Sequence, residues 1–312
     1  MWQRVVVTGA AGFIGGHLCH RLIESGVSSV VGIDSLRSGD WGRVPLGVER
    51  LQHDIAEVSV EEWRTIVRGS DVVFHLAAEK YNSSKSTPNR LLSANVLGTE
   101  HLFRATALER VPRVVFTSSL YAYGSMGPET MSESDRAEPH TLYGASKLMG
   151  ENILRSLDRE IGLSWNVARL FFIYGPHQYA EGGYKSVILS NFERLLDNEA
   201  PVIKGDGEQS LDYVYVNDCV EALVELARSP VDKMIVNVAS GNPVSVRELT
   251  SVMQEIAGSH RIAVESPPDW TAGSRRAGDP AAIQEHFRWK STTPMREGLT
   301  RVFEWMQASQ NA

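Results

Sequence analysis

The sequence predicts an α/β fold, a doubly wound parallel sheet with a smaller α/β region packed on it toward the C-terminus. Three observations predict it. Buried-strand runs such as Val5-Val6-Val7, Ser29-Val-Val-Gly-Ile33 and Asp71-Val-Val-Phe74 recur through the first half. They alternate with helical periods, as crossover helices on a parallel sheet require. The first run ends abruptly in Thr8-Gly-Ala-Ala-Gly-Phe-Ile-Gly15, and Ile14, Leu18, Leu22 and Ile23 then keep a helical spacing.

That strand, glycine turn and helix place backbone N–H groups and a helix N-terminus where a pyrophosphate binds. Gly9, Gly12 and Gly15 are spaced by threes, with Phe13 and Ile14 between them. The second strand leads into Asp34, about twenty residues on, where a carboxylate accepts from adenosine ribose hydroxyls. The same charge repels a 2′-phosphate, so the expected cofactor is NAD. After the polar turn Ser35-Leu-Arg-Ser-Gly39, a short apolar piece near Val48–Leu51 leads into Asp54-Ile55. Asp54 suits either the adenine amino group or an N-cap for the helix starting near Ser59. The next strand ends in Leu76-Ala77-Ala78, small enough for close cofactor approach, and Lys80 follows at the carboxyl edge of the sheet. One long amphipathic helix is expected over 88–109, carrying Asn95, before the strand Val111–Phe116 and its end at Thr117-Ser118-Ser119.

Tyr143 and Lys147 stand at i and i+4, one face of a helix. A neighbouring ammonium favours phenolate over phenol, and Ser119, with Ser118 as the alternative, completes an acid–base site. Residues 164–169 read as the sixth strand. Beyond it, short strands are expected near 201–207, 214–216 and 234–238, and helices over 220–227, 245–257 and 295–306. Ser245 and Glu248 have capping-box spacing. The last helix is expected to pack Leu299, Val302 and Phe303 inward. The stretch 266–280 reads as a loop presenting Arg275 and Arg276 to an anionic substrate. The expected division is a cofactor domain over 1–169 and a substrate domain over 170–312, with about 212–240 returning to the first.

Composition sets the outer bounds. The chain has 312 residues, 42% hydrophobic and 22% charged, with a net charge of −7. That balance is a water-soluble globular one and argues against nucleic acid as a partner. No apolar run reaches membrane-spanning length, and the first strand begins almost at once, so a cytoplasmic protein is expected. Cys19 and Cys219 lack metal-ligand spacing and read as buried thiols; no metal is expected.

Taken together, these residues resemble the extended short-chain dehydrogenase/reductases of the nucleotide-sugar epimerase/dehydratase group, over nearly the whole chain. The resemblance rests on the glycine turn, Asp34, Asp54-Ile55, His75-Leu-Ala-Ala78, Lys80, Asn95-Val-Leu-Gly-Thr99, Tyr143 and Lys147. Later come Tyr174-Gly-Pro176, Gly205-Asp-Gly207, Asp212-Tyr-Val-Tyr-Val216 and Arg276-Ala-Gly-Asp279. It implies a Rossmann-type fold and bound NAD. The implied cofactor contacts run from the glycine turn through Asn95 to Tyr143 and Lys147. It also implies a nucleotide-diphosphate sugar as substrate and a homodimer through the helices near 89–109 and 143–160.

The departures narrow the chemistry. Leu120 and Tyr121 occupy the places of the Asp-Glu pair with which the group's dehydratases eliminate water. Phe172 stands for an Asn near the diphosphate and Leu211 for an Arg that grips it, while Arg276 remains. The reading is therefore an NAD-dependent epimerase, acting at C4 of a nucleotide-diphosphate sugar through a keto intermediate. Ser119, Tyr143 and Lys147 are its catalytic residues; Ser119, Tyr121, Phe172 and Arg276 are its substrate contacts. The alternatives are an NAD-linked sugar dehydrogenase or ketoreductase, a dehydratase, or a non-catalytic NAD-binding protein. His177, Gln178, Tyr179 and Lys185 lie where the group's substrate loop is expected, and Trp270 is placed either to stack on a base or to anchor its loop.

Overall fold

In the computed structural model, residues 2–124, 129–178, 185–269 and 271–310 are described; Tyr179 and Trp270 lie outside them. The strands are β1 (Arg4–Thr8), β2 (Ser29–Asp34), β3 (Val48–Gln52), β4 (Val72–His75), β5 (Arg113–Ser119), β6 (Trp165–Leu170) and β7 (Phe172–Tyr174). They continue with β8 (Val202–Lys204), β9 (Ser210–Leu211), β10 (Tyr213–Tyr215), β11 (Met234–Val238), β12 (Val244–Ser245), β13 (Val264–Ser266) and β14 (Arg275–Arg276). Seven of them form one sheet in the order β11-β6-β5-β4-β1-β2-β3, and every pairing in it is parallel.

The helices are α1 (Phe13–Glu24), α2 (Val60–Val67), α3 (Ser83–Ser86), α4 (Pro88–Leu92), α5 (Thr99–Leu108) and α6 (Leu142–Glu160). They are followed by α7 (Val187–Leu196), α8 (Val216–Arg228), α9 (Val246–Ile256), α10 (Ala281–Phe287) and α11 (Met295–Gln310). Val5 and Val7 pack with Leu18, Leu22 and Leu223 on one face of the sheet. Val6 packs with Trp63, Leu102, Phe103 and Leu154 on the other. Burial on both faces is why these strands read as unbroken apolar runs rather than alternating ones. The chain reverses its winding between β1 and β4, and the crevice outside the carboxyl ends there is where such sheets bind ligands.

The helix expected over 88–109 is divided. A π-helical turn, Ser93–Gly98, joins α4 to α5, and a Cβ on Gly98 would lie 2.2 Å from the Ile55 carbonyl oxygen. Close packing of that turn on the loop after β3 offsets the wider hydrogen-bond ring. Ser59 and Glu62 form a complete capping box on α2, so Asp54 is not that helix's N-cap. Ser245 accepts from the Glu248 N–H at 3.1 Å. Burial pushes the Cys19 thiol up to about 12 and the Cys219 thiol up as well.

The C-terminal core joins Phe192 of α7, Leu249 and Met253 of α9 and Leu299 and Val302 of α11 to Tyr174 and Tyr213. Phe303 is only partly buried at its edge. Within 212–240, β10 pairs with β7 in a separate ribbon while β11 joins the large sheet beside β6. The stretch read as a loop over 266–280 instead contains β14, which pairs in parallel with β9. Backbone hydrogen bonding to β9, the middle strand of the small sheet β12-β9-β14, organised a segment whose local composition favours turns. Among the described residues, no helix is long and apolar enough to cross a membrane.

Candidate active site

A cavity of about 1250 Å³ runs along the carboxyl ends of the sheet strands. At one end lies the glycine turn. Gly9 has φ +72°, and a Cβ on it would lie 2.8 Å from the Ala77 nitrogen. A Cβ on Gly15 would lie 2.0 Å from the Gly9 carbonyl oxygen. Only hydrogen fits at these positions, which keeps the turn shut against the end of β4. Gly12, the N-cap of α1, offers no side-chain acceptor, so the first N–H groups of the helix are left for a ligand. Phe13, Ile14, Leu76, Ala77 and Ala78 line the same wall.

Asp34 closes the β2 side. Its carboxylate accepts from the Ala11 N–H at 3.1 Å and the Leu36 N–H at 2.8 Å. Burial pushes its pKa up, against those two bonds and the charges of Arg43 and Lys80. Lys80 also lines the cavity, and burial pulls its ammonium down. Asp54 and Ile55 line the cavity too, but the Asp54 carboxylate already has partners. It accepts from the Ala56 N–H at 3.0 Å and forms an ion pair with Arg90. Arg90 also reaches Glu79 at 3.0 Å. Asn95 stands apart: buried and off the cavity wall, it accepts from the Glu79 N–H at 2.7 Å and donates to Ser146 Oγ at 3.1 Å. It ties the segment after β4 to α6.

At the far end, Ser119, Tyr143 and Lys147 come together. Thr141 caps α6, accepting from the Gly144 N–H at 3.0 Å, and so fixes where the helix begins. Ser119 lies beside the Tyr143 hydroxyl and draws its pKa down. Ser118 does not compete, because its hydroxyl donates to Glu151 Oε1 at 2.6 Å. The Lys147 ammonium donates to the Thr117 carbonyl at 2.9 Å and lies 5.9 Å from the Tyr143 ring centroid.

The expected phenolate is not what this geometry favours. Burial pushes Tyr143 up to about 12, outweighing the pull of Ser119, and burial pulls Lys147 down to about 8. Desolvation penalises both charges more than the residues around them restore.

The half of the cavity beyond the glycine turn is aromatic. Tyr121 stacks on Tyr81 at 5.2 Å and meets Tyr143 edge-on at 5.9 Å. Phe172 and Leu211 line the cavity beside Tyr213. Arg276 does not line it: 3% exposed, its guanidinium lies 5.8 Å from the Phe172 ring centroid, behind that ring. Arg275 sits in the same short strand, away from the cavity wall. Gln178 lines the cavity, whereas His177 faces a second cavity beside His17, and Lys185 is ion-paired with Glu193.

Sequence reasoning passed over Arg90, Tyr81 and Glu151. Arg90 and Tyr81 reach the site through tertiary packing and carry no local signal. Glu151 did carry one, since it continues the i, i+4 series of Tyr143 and Lys147.

The backbone cradle and the placement of Asp34 fit a dinucleotide, and the comparisons with known proteins agree. Residues 5–239 match the model of the NAD dependent epimerase/dehydratase family. The chain is 30% identical to a UDP-glucose 4-epimerase of Mycolicibacterium smegmatis, over 98% of this chain and 99% of that protein. The solved UDP-glucose 4-epimerase of Thermotoga maritima, with UDP-glucose, superposes with a TM-score of 0.91 at 30% identity. That match covers 98% of this chain and 99% of the other. A UDP-N-acetyl-alpha-D-glucosaminuronate decarboxylase of Bacillus cytotoxicus is 27% identical over the full length of both chains. The chain belongs to the NAD-dependent epimerase/dehydratase family, and its cofactor is NAD.

Proposed function

We propose that this protein is an epimerase of a nucleotide-diphosphate sugar, acting at C4 through a transient keto intermediate. One observation carries the choice within the family. Ser119, Tyr143 and Lys147 share one end of the cavity, while Leu120 and Tyr121 follow Ser119 where an eliminating enzyme needs a carboxyl pair. Neither leucine nor a stacked tyrosine is a carboxylic acid–base at neutral pH. The relatives that are UDP-glucose 4-epimerases support the same reading.

In this reading Gly9, Gly12, Gly15, Asp34 and Lys80 hold the NAD, with Lys147 toward its nicotinamide end. When bound, NAD supplies a positive charge and a reversible hydride acceptor. An added positive charge beside the hydroxyl offsets the burial that holds Tyr143 neutral, and as phenolate its Oη takes the proton of the sugar hydroxyl and later returns it. Ser119 Oγ donates to the same sugar oxygen as it becomes a carbonyl, and the Lys147 ammonium stabilises the Tyr143 oxyanion. Tyr121 and Phe172 bound the sugar. The 1–169 segment is assigned to the cofactor and most of 170–312 to the substrate.

We also infer a homodimer. Leu97, Leu108 and Met149, 59%, 44% and 47% exposed, lie along the segments 93–108 and 142–160. Such apolar exposure on neighbouring helices suits a second copy.

The test is mass spectrometry of the denatured protein for released NAD, then incubation with a panel of nucleotide sugars. Retained NAD and interconverted sugar without accumulating NADH is the expected result. Stoichiometric NADH with exchangeable cofactor would overturn the epimerase in favour of a dehydrogenase.

A further inference from the structure

Tyr143, Lys147 and Glu151 stand at i, i+4 and i+8 on α6, one above another. Three consecutive residues at the end of β5 meet them in turn. Ser119 lies beside the Tyr143 hydroxyl, the Thr117 carbonyl accepts from Lys147 Nζ at 2.9 Å, and Ser118 Oγ donates to Glu151 Oε1 at 2.6 Å. Glu151 is wholly buried. Arg169 on β6 holds it from the other side, donating from Nε to Oε1 at 2.9 Å and from Nη2 to Oε2 at 2.7 Å. The Arg169 guanidinium in turn lies 4.5 Å from the Tyr123 ring centroid, and the Tyr123 hydroxyl donates to Asn237 at 2.7 Å.

A buried ion pair is poor value as stabilisation alone, since two apolar side chains of similar volume often do as well. What the pair accomplishes here is to fix a carboxylate one helical turn from a buried ammonium. Lys147 is 4% exposed, its ammonium lying 5.1 Å from the Phe116 ring centroid. Burial drives it toward neutrality, and Glu151 is the neighbour whose charge opposes that drive.

We propose that Glu151 is a positioning residue for the epimerase. Its carboxylate, fixed by Ser118 and Arg169, supplies the negative charge that holds the Lys147 ammonium beneath Tyr143. This rests on the assignment of Tyr143 and Lys147 above. The other titratable groups around the pair are Tyr143 and Tyr121 on the cavity side, Arg169 on β6, His75 on β4, and Tyr123 and Glu133 on the far side of Arg169. His75 is held neutral by burial, its pKa brought down to about 3, so among the described residues Arg169 is the charged group bonded to Glu151.

The test follows Lys147 directly, without substrate. In NAD-loaded protein labelled with ¹⁵N at lysine side chains, the Lys147 signal is identified by its loss in K147M and titrated against pH. In E151Q the midpoint is expected to fall by about one pH unit, as removal of a neighbouring opposite charge requires. E151Q also strands Arg169, which can prevent folding, so E151Q/R169Q is titrated against R169Q, a comparison in which Arg169 is absent from both and only the Glu151 charge changes. A midpoint lower in E151Q/R169Q than in R169Q supports the proposal, and equal midpoints overturn it, leaving Glu151 only as the partner of Arg169. Undiminished turnover in Y143F would defeat the proposed function independently, because the nitrogen titration uses no sugar.

Discussion

The two halves of the cavity are built on different principles. The cofactor half is backbone: three glycines within seven residues, a helix N-terminus, and the acid ending the adjacent strand. Its tolerances are those of atoms that cannot move, such as the 2.0 Å that a Cβ on Gly15 would leave to the Gly9 oxygen. The half proposed for the substrate is side chain: Tyr81, Tyr121, Phe172, Leu211 and Tyr213, from segments far apart in sequence. A backbone cradle accepts one ligand shape and little variation. A wall of aromatic side chains is re-cut by single substitutions, so the contrast suggests how one cofactor scaffold serves many sugars.

The comparison is tested most severely at its two ends. Tyr143→Phe removes the proton-transferring oxygen and is expected to lower kcat by about 10²–10⁴-fold, with NAD content measured by mass spectrometry unchanged. Gly15→Ala forces the turn open, at a cost of about 3 kcal/mol. The purified variant is expected to lose about 100-fold in NAD affinity, read by isothermal titration. Wild-type affinity there would mean that the cradle is less rigid than its contacts indicate.

On the substrate side, Phe172→Asn with Leu211→Arg restores polar groups to the wall. A gained charge-assisted bond is worth about 1.5 kcal/mol, so KM for a nucleotide-diphosphate sugar is expected to fall about tenfold at unchanged kcat. A rise in KM would show that the apolar wall itself recognises the substrate.

The smallest effect is on stability and belongs to the scaffold between the halves. His75 hydrogen-bonds Thr8 at 2.7 Å and Thr99 at 2.9 Å, and Thr8 Oγ1 accepts from the Ala77 N–H at 3.2 Å. Its pKa falls from 6.5 to about 3 in the folded protein. The unfolded chain therefore binds the extra proton first, and stability is lost as pH falls below about 6.5. The slope from this one group reaches at most about 1.4 kcal/mol per pH unit. Urea midpoints measured between about pH 7 and 5 should decline, and the decline should be shallower in His75→Gln.

Much of this was legible in the chain. The large sheet, the glycine turn and Asp34 follow from short-range patterns, because strand burial and close backbone approach restrict residue type locally. The spacing of Tyr143 and Lys147 likewise identified their shared helix face. Where Asn95 sits was not legible for the opposite reason: a buried amide bridging Glu79 and Ser146 and one on a cavity wall look alike in sequence. Arg276 illustrates the same limit, since whether an arginine faces a cavity or lies behind a phenylalanine depends on a neighbour a hundred residues away.

By itself, then, the sequence determined the sheet, the cradle and the shared helix face of Tyr143 and Lys147, all of them consequences of periodicity and steric exclusion over a few residues. Tertiary structure alone decided their electrostatics. Burial, not the i+4 lysine, dominates the Tyr143 hydroxyl; Ser118 turns to Glu151 and leaves Ser119 to the site; Arg90 occupies Asp54. Desolvation and pairing depend on every element packed around a group, and no local spacing encodes them.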